Sequence, residues 1–117
     1  MEKLNFVFLI RDDRYWEQLF SHIANMKKQS DEIDKIAVVA VSTALLSYLK
    51  STHLDTLKAT ISHLANNNVE FYMCTNTLSR YGINENSLLP KIKIAREGGL
   101  LKVACFETNG YHTITLG

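Results

Sequence analysis

The sequence predicts an α/β protein, a three-layer α/β/α sandwich around a mainly parallel sheet of about five strands. Three observations carry that expectation. Short, nearly continuous apolar runs recur along the chain, as at 4–10 and 36–41, and strands covered on both faces read this way. Between them lie amphipathic stretches with apolar residues at i, i+3 and i+4, the spacing of one helix face. Strands separated by helices of this length form crossover units, which place helices over the faces of a parallel sheet.

The first strand, over 4–10, carries Leu4, Phe6, Val7, Phe8, Leu9 and Ile10. Asp12 or Asp13 can cap the helix that follows. That helix reaches about Lys28, with Tyr15, Trp16, Leu19, Phe20, Ile23 and Met26 on one broad stripe. Its basic end, Lys27-Lys28, suits the negative end of a helix dipole. The stretch 36–41 is the clearest buried strand, and Ser42-Thr43 ends it. A helical turn is expected over 44–49. A second amphipathic helix, over 55–66, turns Leu54, Leu57, Ile61, Leu64 and Ala65 inward, and Asn66-Asn67-Asn68 stops it. A third strand over 69–74 leads into a helix opened by Thr75-Asn76-Thr77 and closed at Gly82. Asn84-Glu85-Asn86 begins a turn, and Pro90, the single proline, precedes a short strand over 91–95. The last helix is expected over 97–107, and Asn109-Gly110 turns the chain into a final strand over 111–116.

A chain of 117 residues makes one domain, taken as 1–117. Hydrophobic residues at 46% and charged residues at 21% exclude a disordered chain, which needs few apolar residues and a large net charge. A formal charge of +1 gives no bulk attraction to nucleic acid or to anionic membranes, so neither is expected as a partner. No apolar run approaches the roughly 18 residues of a membrane span. The apolar run at 6–10 meets Arg11-Asp12-Asp13-Arg14 at once, which does not suit a signal peptide. The two cysteines, Cys74 and Cys105, fit free thiols in a reducing compartment, so a cytoplasmic protein is expected. No metal is expected, because neither cysteine has histidine partners at ligand spacing. No cofactor is expected either: Gly98-Gly99 is not a phosphate loop. His22, His53, His63 and His112 stand alone and read as structural, with His53 a possible helix cap.

In open parallel sheets, ligands bind outside the carboxyl ends of the strands. Three strands end at Arg11-Asp12, at Ser42-Thr43 and at Cys74-Thr75-Asn76. Asp12, Ser42, Thr75, Asn76 and Thr77 are therefore the candidate ligand-binding residues, and Cys74 is the candidate catalytic one. A thiol placed before a helix start meets unpaired N–H groups that favour thiolate. The residues alone leave Cys74 open to a second role, a small apolar filler of a buried strand. Free N–H groups at that helix start are expected to attract an anion. Cys105, among Leu101, Val103, Ala104 and Phe106, reads as core filler, so its thiol is expected to stay protonated by burial. Arg80 could meet an anion but reads as a solvated surface charge. Tyr15 and Trp16 read as core or subunit interface.

The stretch 69–78, with Arg80, Gly82-Ile83 and Leu88-Leu89-Pro90 after it, resembles the DsrE/DsrF-like family. Its shared pattern is a valine-led strand, a cysteine, an Asn-Thr-Leu helix start, then Gly-Ile and Leu-Leu-Pro. Residues 98–111 also resemble the family's last helix and Gly-Tyr final strand. Where the family often carries a His-Gly pair after the second strand, this chain carries Ser42-Thr43. The resemblance implies a small cytoplasmic α/β/α protein that assembles as a homotrimer or hexamer. It further implies that Cys74 matches the sulfur-carrying cysteine, so that a sulfur donor or acceptor protein becomes a possible partner. Tyr48, Leu49, Tyr81 and Leu88-Leu89 lie in short connecting pieces that one protomer is expected to leave partly uncovered, which also suggests an oligomer. Two other functions stay open, a non-catalytic binder of small molecules or anions with Cys74 lining its pocket, and an oligomeric interaction module without chemistry.

Overall fold

The computed structural model describes residues 3–28, 30–51 and 55–117. His53, the possible cap, and Leu54, expected inward, lie outside the described residues. Five strands form one sheet: β1 (Leu4–Ile10), β2 (Ile33–Ala40), β3 (Val69–Cys74), β4 (Lys93–Ala95) and β5 (Tyr111–Leu116). Every pairing is parallel, in the order β4-β3-β2-β1-β5. Four helices connect them: α1 (Trp16–Lys28), α2 (Asp55–Ala65), α3 (Thr75–Tyr81) and α4 (Gly99–Thr108). A 3-10 segment over Ser42–Tyr48 takes the place of the expected turn.

β1, β3 and β5 have the expected bounds. β2 begins earlier than expected because Leu4 pairs with Ile33 across a register shift, which brings the polar pair Asp34-Lys35 into the strand. β4 begins later, since Lys91 adopts a positive φ of 71° that no strand continues. α4 starts at Gly99 rather than 97, because Gly98 turns at φ 94°.

The two faces of the sheet are covered unequally. Phe8, Ile10, Val38, Ala40, Phe71 and Met73 pack with residues of α1, α2, α3 and segment 42–48 into the main core. Val7, Leu9, Ala37 and Val39 form a smaller core on the opposite face, closed by Val103 of α4 with Phe106, Tyr72 and Tyr111 against it. Connectivity explains the asymmetry. The crossovers from β1 through β4 step one way along the sheet with their helices on one face. The return from β4 to β5 must span the whole sheet, and a right-handed crossover in that direction puts α4 on the other face.

Trp16 anchors the main core. Its ring lies 5.4 Å from Tyr48 and 6.4 Å from Phe71, centre to centre. Its indole Nε1–H donates to the Ala44 carbonyl at 3.1 Å, fixing segment 42–48 to the first turn of α1. The Tyr48 hydroxyl beside it is buried without a partner among the described residues, and burial pushes its pKa well above the ordinary tyrosine value.

Two expectations are corrected here. Cys105 is exposed, not core filler. The inward positions of α4 are Gly99 and Val103, one turn apart, so Leu101 and Cys105 fall on the outward side. The helix is apolar nearly all round, so its sequence does not mark which side faces in. Tyr48, Leu88 and Leu89 are not left uncovered but are buried within the protomer. The Leu89 N–H donates to the Tyr48 carbonyl at 2.7 Å, and Leu49 bridges Leu88 in antiparallel fashion, which folds that connection onto the core. Of the connecting residues named, Tyr81 is exposed and Leu49 is half-buried.

Replacing Trp16 with Phe removes the indole donor, strands the Ala44 carbonyl and leaves unfilled volume. Denaturant unfolding of the Trp16→Phe protein should show a loss of about 1–3 kcal/mol at unchanged slope. A stability equal to wild type would mean that this contact does not anchor the core.

Candidate functional site

Strands β3 and β4 are neighbours, yet the chain leaves β3 through α3 on one face and β4 through α4 on the other. A crevice opens outside the carboxyl ends of two strands whose connections part in this way. Cys74 is the last residue of β3 and the first flank of α3. Gly98 and Gly99 open α4 directly across from it.

The two glycines are dictated by contact. A Cβ on Gly99 would sit 2.5 Å from Val41 Cγ1 and 3.2 Å from Cys74 Cβ, so no larger residue fits without displacing α4. This close approach lets the Gly99 N–H donate to Cys74 Sγ at 3.2 Å. Burial by itself pushes the Cys74 thiol up. Hydrogen bonds from the Thr77 N–H and hydroxyl, and from the Gly99 and Asn76 N–H groups, outweigh burial and bring it below the ordinary value of 9.0. The N–H groups of Asn76 and Thr77 at the start of α3, where an anion was expected, are thus turned on the Cys74 sulfur.

Thr77 has a second task. Its buried hydroxyl oxygen accepts from the Ser42 N–H at 3.3 Å, tying the end of β2 to α3. Ser42 sits at φ 55°, a left-handed conformation that a serine adopts at some cost. Ser42-Thr43 occupies the position at which the resemblance to the family implies a His-Gly pair.

A cavity of about 630 Å³ lies over the thiol. Cys74, Ser42, Asn76 and Thr77 all line it, so the structure brings four of the six candidate residues together. It does not bring in the other two. Thr75 is half-buried in the first turn of α3 and does not line the cavity. Asp12 caps the 3-10 turn Asp13–Tyr15, and Arg14 grips its carboxylate at 2.7 Å. Hydrogen bonds from the Arg14 side chain and backbone hold that carboxyl well below the usual range.

The sequence reasoning missed Gly98, Gly99, Arg11 and Glu97, which line the same cavity, and it left Arg80 as a surface charge. A glycine pair directly after a strand and before a helix was the available signal for the first two. Arg11 was marked only by its place at the end of the first strand beside Asp12, and it lines the cavity because β1 lies beside β2 in the sheet. Among the described residues, no group of three or more His, Cys, Asp and Glu side chains could hold a metal ion. No helix among them is long and apolar enough to cross a membrane.

Gly99→Ala should separate α4 from β3. Overpacking of this kind costs about 1–3 kcal/mol, read by denaturant unfolding. The same variant should alkylate Cys74 more slowly than wild type at fixed pH, because the Gly99 N–H is moved off the sulfur. An unchanged alkylation rate would show that this donor does not tune the thiol.

The sequence profile of the DsrE/DsrF-like family matches residues 5–116. Among solved structures, the fold is similar to a protein of unknown function, MTH1491, from Methanobacterium thermoautotrophicum. That likeness has a TM-score of 0.88 at 23% identity, over 97% of this chain and 100% of that one. The ychN protein from E. coli aligns with a TM-score of 0.76 at 16% identity, over 99% and 100% of the two chains. A conserved protein of unknown function, BT1422, from Bacteroides thetaiotaomicron aligns at 0.65 and 12% identity, over 94% of each chain. No curated protein matches the sequence.

Proposed function

The chain belongs to the DsrE/DsrF-like family, and from that premise we propose that it is a sulfur carrier whose Cys74 accepts sulfane sulfur as a persulfide. The family suggests sulfur relay. The observation that supports it for this chain is the Cys74 sulfur itself, which accepts the Gly99 N–H at the floor of a cavity and is shifted toward thiolate. A buried filler cysteine needs no cavity and no donors.

The chemistry is a balanced exchange. The Cys74 thiolate attacks the outer sulfur of a persulfide R–S–SH. A bond forms between Sγ and that sulfur, the donor S–S bond breaks, and its electron pair leaves with R–S⁻. Delivery reverses the roles: an acceptor thiolate takes the outer sulfur and Cys74 departs as thiolate. Donors that stabilise the thiolate serve both steps, since a thiol of lowered pKa is also the better leaving group.

The test uses a Cys105→Ser background, so that only Cys74 is read. Its alkylation should be faster below pH 9.0 than that of an unshifted thiol and should fall as pH drops through the lowered value. Incubation with a persulfide should add the mass of one sulfur atom, and Cys74→Ser should abolish both. By linkage, a lowered acid favours the native state as pH rises, so Cys74 contributes stability present above the ordinary value and lost below the lowered one. If Cys74 reacts no faster than an unfolded peptide thiol at the same pH, the protein is instead a non-catalytic binding module.

The same proposal includes assembly as a homo-oligomer, a trimer or hexamer, in the cytoplasm, with a sulfur donor or acceptor protein as partner. Leu100 and Leu101, 70% and 62% exposed at the mouth of the cavity, favour an interface there. Light scattering at micromolar concentration should return a multiple of the 13.3 kDa chain mass. A mass of one chain would refute the assembly.

A further inference from the structure

The chain has four arginines. Arg14 is engaged by Asp12 at 2.7 Å, and Arg96 by Glu85 at 3.0 Å. Among the described residues, Arg11 and Arg80 are in no ion pair, and both line the cavity over Cys74. They arrive from different elements, Arg11 just past the end of β1 and Arg80 from the last turn of α3. The one carboxylate on the cavity wall, Glu97, faces Lys102 at 3.9 Å. The cavity lining therefore includes two arginines that, among the described residues, are in no ion pair.

The thiol is recessed. Cys74 is only 6% exposed, so a donor sulfur must come down into the cavity to meet it. A small molecule, or a cysteine on a projecting protein segment, can make that approach. The volume of about 630 Å³ falls within the range of small-molecule sites, roughly 300–1,000 Å³. A five-atom inorganic ion such as thiosulfate would leave most of that space to water. Guanidinium groups pair best with planar carboxylates, through two parallel N–H···O bonds.

Resting on the sulfur-carrier function above, we propose that Cys74 exchanges sulfur with a low-molecular-weight persulfide that carries carboxylates, held by Arg11 and Arg80. The Cys74 thiolate takes the outer sulfur of R–S–SH, and R–S⁻ leaves with the electron pair while its carboxylates stay on the two arginines. No oxidant or reductant is consumed.

The experiment compares three donors on the Cys105→Ser protein by intact-mass kinetics: glutathione persulfide, the uncharged persulfide of 2-mercaptoethanol, and thiosulfate. The carboxylated donor should load Cys74 about tenfold faster than the uncharged one at low concentration, the ratio a charge-assisted contact gives. Arg11→Gln and Arg80→Gln should each reduce that ratio. The double variant should bring it near one by raising the concentration of carboxylated donor needed for half-saturation. Added salt should shrink the ratio as well, since both arginines are exposed. Thermal melting of each variant controls for folding. A ratio near one in the unsubstituted arginine background, a ratio that survives in the double variant, or faster loading from thiosulfate overturns the proposal and leaves the carrier function standing. Loading from none of the three donors removes the carrier function and this proposal together.

Discussion

The return crossover from β4 to β5 is the constraint on which the site depends. With the order β4-β3-β2-β1-β5, the chain must travel from one edge of the sheet to the other in a single connection. Only one ten-residue helix, α4, makes that journey, and it is the sole helix over its face of the sheet among the described residues. To lie flat across β3 and β2 it must begin almost in contact with them. Gly99 is where that contact occurs, against Val41 and Cys74. One of the hydrogen bonds that tune the thiol, from the Gly99 N–H, is thus a by-product of how the sheet is closed.

The electrostatics of Cys74 follow from the same packing. A thiol brought into a dry crevice should become harder to ionise. Here the crevice is walled by backbone N–H groups with no carbonyls to use, so ionisation is favoured despite burial. The Thr77 hydroxyl links this arrangement to the left-handed bend at Ser42, which aligns the end of β2 with the start of α3. The end of β2 is thus tied to α3 through Thr77, and the start of α4 is tied to the end of β3 through the Cys74 sulfur.

The thin layer has a second consequence. A single helix cannot turn all its apolar residues toward the sheet, and the inward line through Gly99 and Val103 leaves Leu100, Leu101 and Cys105 outside. The exposed leucines edge the cavity that Arg11 and Arg80 line. Recognition surface and reactive group thus share one helix, and any displacement of α4 would alter both.

Period and punctuation along the chain determined the class, the existence of every strand and helix, and the placement of Cys74 at the end of β3. These are local matters: apolar runs make buried strands, asparagines and glycines stop helices, and hydrogen bonds close within a few residues. Legibility failed wherever a side chain's surroundings come from a distant segment. Asp12 and Thr75 looked like site residues because they sit at strand ends, but Arg14 claims the first and the helix turns the second away from the cavity. Gly99 touches Cys74, and Arg11 shares its cavity, only because of strand order and the docking of α4. Cys105 and Leu101 looked like core because α4 is apolar on all sides, and only its docking against Val41 fixes which side is in. The sequence by itself determined which elements form and where a thiol would stand. Tertiary structure decided strand order, helix orientation and the lining of the cavity, because these depend on contacts between residues that no local pattern relates.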